Sequence, residues 1–233
     1  MQKETFVYGR QNRRGLSAGK RAVLDRIMSN FSIDDSIIQD EVLEPSGLFK
    51  NNIRAVWLEI GFGAGEHIVA QALKNPDIGF IGCDPFMNGV ASLCKKLDVE
   101  GLNNVKIYTG DAKNILKVLR PKSIQRLFIL FPDPWPKKRH HKRRIINPET
   151  ILLMQRIIVP GGELRIASDE TSYIHWILRC MAESKVFNWS VSSQRDWQEK
   201  GADWPETRYE IKALSEGREP VFLTYFATGN KNF

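Results

Sequence analysis

The chain has 233 residues, 42% of them hydrophobic, enough apolar material for one sizeable core and a single main domain. It lacks the roughly 18 consecutive apolar residues of a membrane span, and MQKETFVYGRQNRRG at its start has no apolar core for a secretory signal. The net charge of +7 is concentrated: residues 1–26 hold seven Lys and Arg against two acids, Lys137–Arg144 holds six and no acid, and the other 199 residues sum to −4.

In chain order, residues 1–25 read as an irregular basic arm, with a helix starting near Lys20, and residues 26–233 as one domain. AVWLEI (55–60) is a buried strand that runs into GFGAG, and Glu66 to Lys74 is helical until Asn75-Pro76-Asp77 breaks it. GFIGCD (79–84) is the second strand, Val90 to Glu100 a helix, VKIYTGD (105–111) the third strand and Asn114 to Leu119 a short helix. RLFILF (126–131) is apolar enough for the middle of a sheet. Pro148 to Val159 is a helix ending at Pro160-Gly161-Gly162, ELRIASD (163–169) the fifth strand, and Tyr173 to Glu183 a helix. Residues 186–233 read as strand, loop, strand, with VFLTYFATG (221–229) the last. Alternating strands and helices predict an α/β fold, a doubly wound, mostly parallel sheet with an antiparallel C-terminal strand.

In such sheets ligands bind beyond the carboxyl ends of the strands. Each proposed strand of the parallel part ends in or beside an acid: Glu59, Asp84, Asp111, Asp133 and Asp169. Gly61, Gly63 and Gly65 bring backbone close to a ligand where a Cβ would interfere. A dinucleotide-binding loop is the obvious rival, but it wants Gly or Ala where this chain has Glu66. A carboxylate at that helix N-terminus opposes a pyrophosphate. The loop therefore suits a cationic, phosphate-free ligand such as S-adenosylmethionine, with Asp84 placed to accept the ribose hydroxyls and Asp111 the adenine amino group.

The three cysteines form no CxxC pair and the four histidines no HExxH, so no disulfide framework and no metal are expected. An organellar transit peptide is also Arg-rich, but Glu4 and Asp25 count against it, and a soluble cytoplasmic protein is expected. Two separate basic clusters on an otherwise acidic chain point to a polyanion. In Phe131-Pro132-Asp133-Pro134-Trp135-Pro136-Lys137, two prolines stiffen the loop around one carboxylate, and Trp135 adds a flat face. Trp189 reads as a core residue. Trp204 and Tyr209, beside Pro205 and Arg208 in a loop-like stretch, read as stacking surfaces for unpaired bases.

FPDPWPKKRHHKRR resembles the signature of the bacterial tRNA (guanine-N7-)-methyltransferases. LEIGFGAGEH, PGGELRIASD, TRYE and GRQNRRGLSAGKRA are similar to other parts of that family, in the same order and over nearly the whole chain. The resemblance implies a Rossmann-like class I methyltransferase fold that moves a methyl group from S-adenosyl-L-methionine to N7 of guanine 46 in the variable loop of tRNA. It implies cofactor contacts at Glu59, Asp84, Asp111 and Asp133, with Asp133 also the catalytic residue. Substrate contacts fall at Lys137, Asp169, Thr207, Arg208, Tyr209 and Glu210. The expected state is a monomer or homodimer. One departure is Asp84, where the family commonly has the longer Glu.

Two rivals stay in view. Amino-group methyltransferases of the same fold end strand four with Asn or Asp, Pro, Pro and an aromatic, an order that PDPW does not fit. A non-catalytic RNA-binding protein of this fold would have lost carboxylates at 59, 84 or 133, and all three are present.

Overall fold

The computed structural model describes residues 15–34, 36, 42–50 and 52–229, and the N-terminal half of the expected basic arm lies outside them. Seven strands form one sheet: β1 (Ala55–Ile60), β2 (Ile78–Cys83), β3 (Val105–Tyr108), β4 (Ile124–Leu130), β5 (Ile158–Ser168), β6 (Phe187–Trp189) and β7 (Val221–Ala227). Their order across the sheet is β3-β2-β1-β4-β5-β7-β6. The first five strands pair in parallel, whereas β7 runs antiparallel to both β5 and β6. This is the predicted doubly wound sheet. Its order reverses between β1 and β4, which opens a crevice at their carboxyl ends.

The helices are α1 (Ala18–Phe31), α2 (Glu66–Lys74), α3 (Met87–Val99), α4 (Ala112–Val118), α5 (Pro148–Ile157), α6 (Thr171–Ser184), α7 (Arg195–Gln198) and α8 (Arg208–Ser215). Two apolar cores lie on opposite faces of the sheet. Leu24, Phe31, Ile68, Leu93 and Leu97 of α1–α3 cover Trp57, Phe80 and Phe128. Ile115, Met154, Tyr173 and Ile177 of α4–α6 cover Leu58, Ile81 and Leu127. The alternation of Trp57 and Leu58 to opposite cores follows from the two-residue period of a strand. Cys83, Cys94 and Cys180 are free and buried, as small apolar residues would be. Among the described residues no helix is long and apolar enough to cross a membrane.

Three elements differ from expectation. Helix α1 starts at Ala18, capped by Ser17, which accepts from the Lys20 N–H. Strand β5 begins at Ile158, and the pairing with β4 jumps from Ile124↔Ile158 to Arg126↔Glu163, so Pro160-Gly161-Gly162 is an irregularity within the strand and not the boundary before it. The predicted C-terminal loop contains α7 and α8. Helix α8 is eight residues long and buries Glu210 and Ala213 while Ile211 and Leu214 stay exposed, so its apolar positions do not mark the face it buries.

Gly89, near the start of α3, fixes how closely that helix approaches the β1 exit. A Cβ built there would lie 2.0 Å from the Gly63 carbonyl oxygen. Gly89→Ala should lower the unfolding free energy by about 3 kcal/mol, the upper end for overpacking a tight contact. Gly47→Ala, where a Cβ meets nothing within 4 Å, should be close to neutral in the same urea titration.

Candidate functional site

Where β1 ends, Gly61, Gly63 and Gly65 have φ of 79°, 58° and 82°, the left-handed region that side chains rarely enter. The loop is held by N–H···O bonds from Gly61 to Cys83 at 2.8 Å and from Gly65 to Phe62 at 2.9 Å. A Cβ on Gly65 would sit 2.6 Å from Leu93, whereas one on Gly61 would meet open space. Gly65 is therefore required by packing, and Gly61 leaves its backbone bare toward the crevice. Glu66 starts α2, and Lys96 lies 3.3 Å from its carboxylate.

Three carboxylates gather around this loop. Glu59 is buried, with His67 Nδ1 at 2.8 Å from its Oε2. Asp84 is also buried and accepts from the main-chain N–H of Gly63 and of Phe86, each at 2.8 Å. Burial pushes the Asp84 carboxyl up from 3.8 to about 6. The two N–H bonds oppose the rise, and the negative charges of Glu59 and Asp133 add to it. Asp133 itself is exposed. Asp111 caps α4, accepting from the Lys113 N–H at 2.8 Å. After burial, Asp84 and Asp111 are what drive the buried Cys83 thiol further upward, so both lie beside the β2 exit.

Asp169 stands apart. Its carboxylate accepts from Arg218 Nε at 2.7 Å, and it lines a cavity of about 970 Å³ together with His175, Trp189, Trp197 and Arg218.

The loop after β4 is strained at two points. Phe131 and Trp135 have φ of 51° and 44°, unusual for bulky residues and costing about 1–3 kcal/mol each. Pro132 and Pro134 stiffen the chain between them, and neighbours hold both ends. The Phe131 N–H donates to Ala167 O at 2.8 Å. His140 packs edge-on to Trp135 at 5.8 Å, and the Arg143 guanidinium lies 5.0 Å from the Trp135 ring. Arg144 is 2% exposed, donates from Nε to Pro134 O at 2.8 Å, and sits 4.8 Å and 5.0 Å from the rings of Tyr173 and Trp176.

The basic run thus divides by role. Lys137, Lys138, Arg139 and Lys142 are exposed on a short 3-10 helix and its cap. Arg144, read from sequence as part of a polyanion surface, instead anchors the strained loop from beneath. The Ile145-Ile146 pair that follows it is the one sequence signal of this burial.

From the C-terminal side, Thr207 caps α8 by accepting from the Glu210 N–H at 3.2 Å. Tyr209 stacks on Phe131 with 6.4 Å between ring centroids and 23° between planes. Its ring comes within 3.1 Å of where a Cβ on Gly63 would be. Arg208 lies over that ring at 4.8 Å and donates to the Tyr209 hydroxyl at 3.0 Å. Glu210 is buried and paired with Lys200 at 2.7 Å.

Glycine loop, strained loop and α8 therefore meet, and the structure brings Glu59, Asp84, Asp111, Asp133, Arg208 and Tyr209 to one crevice. Two tryptophans are buried and exposed the opposite way from expectation. Trp204 is buried edge-on against Phe222 at 5.3 Å, and Trp189 is 38% exposed, stacked on Tyr225. The sequence reading also missed His67, Gln71 and Gly89, which lie at this site or directly behind it.

A family profile described as "Putative methyltransferase" matches residues 53–223. A protein of Rhodospirillum rubrum named tRNA (guanine-N(7)-)-methyltransferase is 41% identical over 219 residues, 94% of this chain and 86% of the relative. One of the same name from Paramagnetospirillum magneticum is 46% identical over 187 residues, 80% of this chain and 78% of the relative. Among solved structures, the 16S rRNA methyltransferase KamB superposes with a TM-score of 0.55 at 17% identity, over 76% of this chain and 89% of that one. A Haemonchus contortus phosphoethanolamine N-methyltransferase, solved with S-adenosylhomocysteine, gives 0.51 at 13% identity over 90% of this chain and 60% of that one. These two likenesses establish the fold, which is that of class I methyltransferases.

The raised carboxyl of Asp84 has a consequence for stability. Between 3.8 and about 6 the folded chain binds a proton more readily than the unfolded one. Its contribution is full below pH 3.8 and is lost as pH rises through about 6. By urea titration, the stability of the unaltered chain relative to Asp84→Ala should fall by up to about 3 kcal/mol between pH 4 and pH 7.5. An equal difference at both pH values would mean that Asp84 is neither desolvated nor repelled.

Proposed function

The chain belongs to the tRNA (guanine-N(7)-)-methyltransferase family, and from that premise we propose that it transfers a methyl group from S-adenosyl-L-methionine to N7 of a guanine in tRNA. Guanine 46 of the variable loop is the proposed target and 7-methylguanosine the product, made in the cytoplasm by a monomer or homodimer. The observation that carries the reading is the gathering of Glu59, Asp84 and Asp133 around the left-handed glycine loop, where buried Asp84 feels the charges of the other two. Such a site welcomes a cation and rejects a pyrophosphate.

The donor set fits the cofactor. Glu59 would hold its ammonium group, Asp84, with a lone pair left on each oxygen, would take the ribose hydroxyls, and Asp111 would accept from the adenine amino group. Gly61, Gly63 and Gly65 would offer main chain, and Asp133 would complete the set. When bound, S-adenosylmethionine supplies an electrophilic methyl on a sulfonium. Guanine N7 has an in-plane lone pair and no proton, so no side chain has to act as a base before transfer. The chain's task is alignment, worth roughly 7–11 kcal/mol of barrier, together with a field suited to a purine that becomes cationic. The Asp133 carboxylate, held out by its strained loop, supplies that field.

On the RNA side, Arg208 and Tyr209 roof the crevice. Lys137 begins the exposed basic stretch, and the basic arm over residues 1–25 adds phosphate contacts. Thr207, Asp169 and Glu210 complete the proposed substrate contacts. Asp169 and Glu210 already hold Arg218 and Lys200, so they meet RNA through their remaining lone pairs or after those pairs part.

Incubation of unmodified tRNA with labelled cofactor, followed by mapping of the modified base, tests the reading. Label appearing on a base atom other than guanine N7 would overturn it. Asp133→Asn should slow single-turnover transfer about 10²–10³-fold with little change in binding. Substituting 7-deazaguanine at the target should abolish transfer while tRNA still binds. Replacing Lys138, Arg139 and Lys142 by Gln should flatten the salt dependence of tRNA binding, by about 0.7 to 0.9 in log–log slope for each phosphate left without its cation. An unchanged slope would place the RNA elsewhere.

A further inference from the structure

Behind Glu59 runs a chain of buried hydrogen bonds that methyl transfer itself does not use. His67 and Gln71, one turn apart on α2, are 3% and 1% exposed. His67 Nδ1 lies 2.8 Å from Glu59 Oε2, and its Nε2 lies 3.4 Å from the Gln71 amide nitrogen. That nitrogen donates to the main-chain carbonyl of Asp203 at 2.6 Å, across 132 residues of sequence. A carbonyl can only accept, so Asp203 fixes the orientation of the Gln71 amide. The same NH2 faces His67 Nε2, which must then accept. The ring proton therefore sits on Nδ1 and is donated to Glu59.

The carbonyl at the far end belongs to the segment that delivers α8. Arg126 and Arg165 lie 3.0 Å and 2.9 Å from the Asp203 carboxylate, and Lys200 pairs with Glu210. Thr207, Arg208 and Tyr209 follow directly, and the Tyr209 ring rests against Gly63 and Phe131. One end of the chain thus orients a carboxylate of the cofactor side, and the other holds main chain of the RNA side.

We propose that His67 and Gln71 are positioning residues that couple cofactor binding at Glu59 to the seating of residues 203–209 against tRNA. This rests on the function proposed above. A cation drawn to Glu59 fixes the carboxylate that His67 holds. His67 in turn fixes Gln71, and Gln71 the carbonyl that sets the entry to α8. Such coupling is reciprocal: the cofactor tightens tRNA binding by the factor by which tRNA tightens the cofactor.

The test is tRNA affinity with and without saturating S-adenosylhomocysteine, using an unmodified tRNA transcript and the full chain. The unaltered protein should bind tRNA about five-fold or more tightly with it. Gln71→Met keeps the size of the side chain and removes the amide. His67→Asn keeps a donor where Nδ1 stands and removes Nε2. Both should bring the ratio near one while S-adenosylhomocysteine still binds, whereas a merely structural role would lower the melting temperature and leave the ratio intact. A ratio of one in the unaltered chain, or the unaltered chain's full ratio kept by both folded variants, overturns the coupling. If neither variant folds, hydrogen exchange on the unaltered protein decides: S-adenosylhomocysteine should slow the amides of residues 199–210, and unchanged exchange overturns the proposal. A chain that binds neither partner refutes the methyltransferase reading itself, and the coupling with it.

Discussion

Asp84 is buried beside two other carboxylates and held there by two main-chain N–H groups, and much of the molecule is arranged around that conflict. The Gly63 N–H reaches Asp84 because Gly63 sits left-handed at the end of β1. Gly63 keeps its place because Gly89 on α3 has no Cβ to strike its carbonyl. β1 and β2 bring Glu59 and Asp84 to the same edge because both strands run in parallel with Glu59 opposite Gly82. A fold selected for stability alone would avoid desolvating one acid beside others. Carboxylates concentrated in this way are typical of functional sites, and a ligand of opposite charge would relieve the repulsion.

The loop after β4 shows the same pattern in backbone terms. Two bulky residues with positive φ persist only when their surroundings over-determine them. Here the surroundings are Arg144 under Pro134, the Tyr173 and Trp176 rings under Arg144, and Ala167 O opposite the Phe131 N–H. The result is an exposed Asp133 at a fixed point on the sheet edge, next to exposed cations. Desolvation first, and then the charges of Arg143, Arg139, Lys137 and Lys142, keep the His140 imidazole below its ordinary pKa. Negative crevice and positive rim lie within a few residues of each other.

The order and type of the first five strands were legible in the sequence because buried strands and glycine turns leave local signals. So were the acids at the strand ends, which spacing alone places at one edge. What stayed hidden depends on contacts distant in the chain. Glu59, His67, Gln71 and Asp203 form one chain only after α2 packs on β1 and the C-terminal segment returns across the sheet. Trp204 and Trp189 were misassigned for the same reason. Pro205 and Arg208 gave Trp204 the look of a loop residue, while Phe222 and Arg165, which bury it, come from strands β7 and β5. Arg144 was hidden by composition, since a run of six cations gives no hint that one of them turns inward.

Burial is the main reason that Asp84 resists ionising, and the charges of Glu59 and Asp133 add to it. The carboxylates, unlike the burial, favour an incoming positive charge. The proposed cofactor brings an ammonium and a sulfonium into that field. In the proposed transfer the positive charge would not disappear but would pass from the sulfonium to the purine. A field confined to the cofactor side would hold the charge back and slow the transfer. Asp133 is exposed on the loop between Phe131 and Lys137, so in the proposed complex it would extend the negative field toward the purine. Such a field suits a nucleophile that gathers positive charge as it is methylated, as N7 of guanine does, and N7, unlike an exocyclic amine, has no proton to hand to a base afterwards.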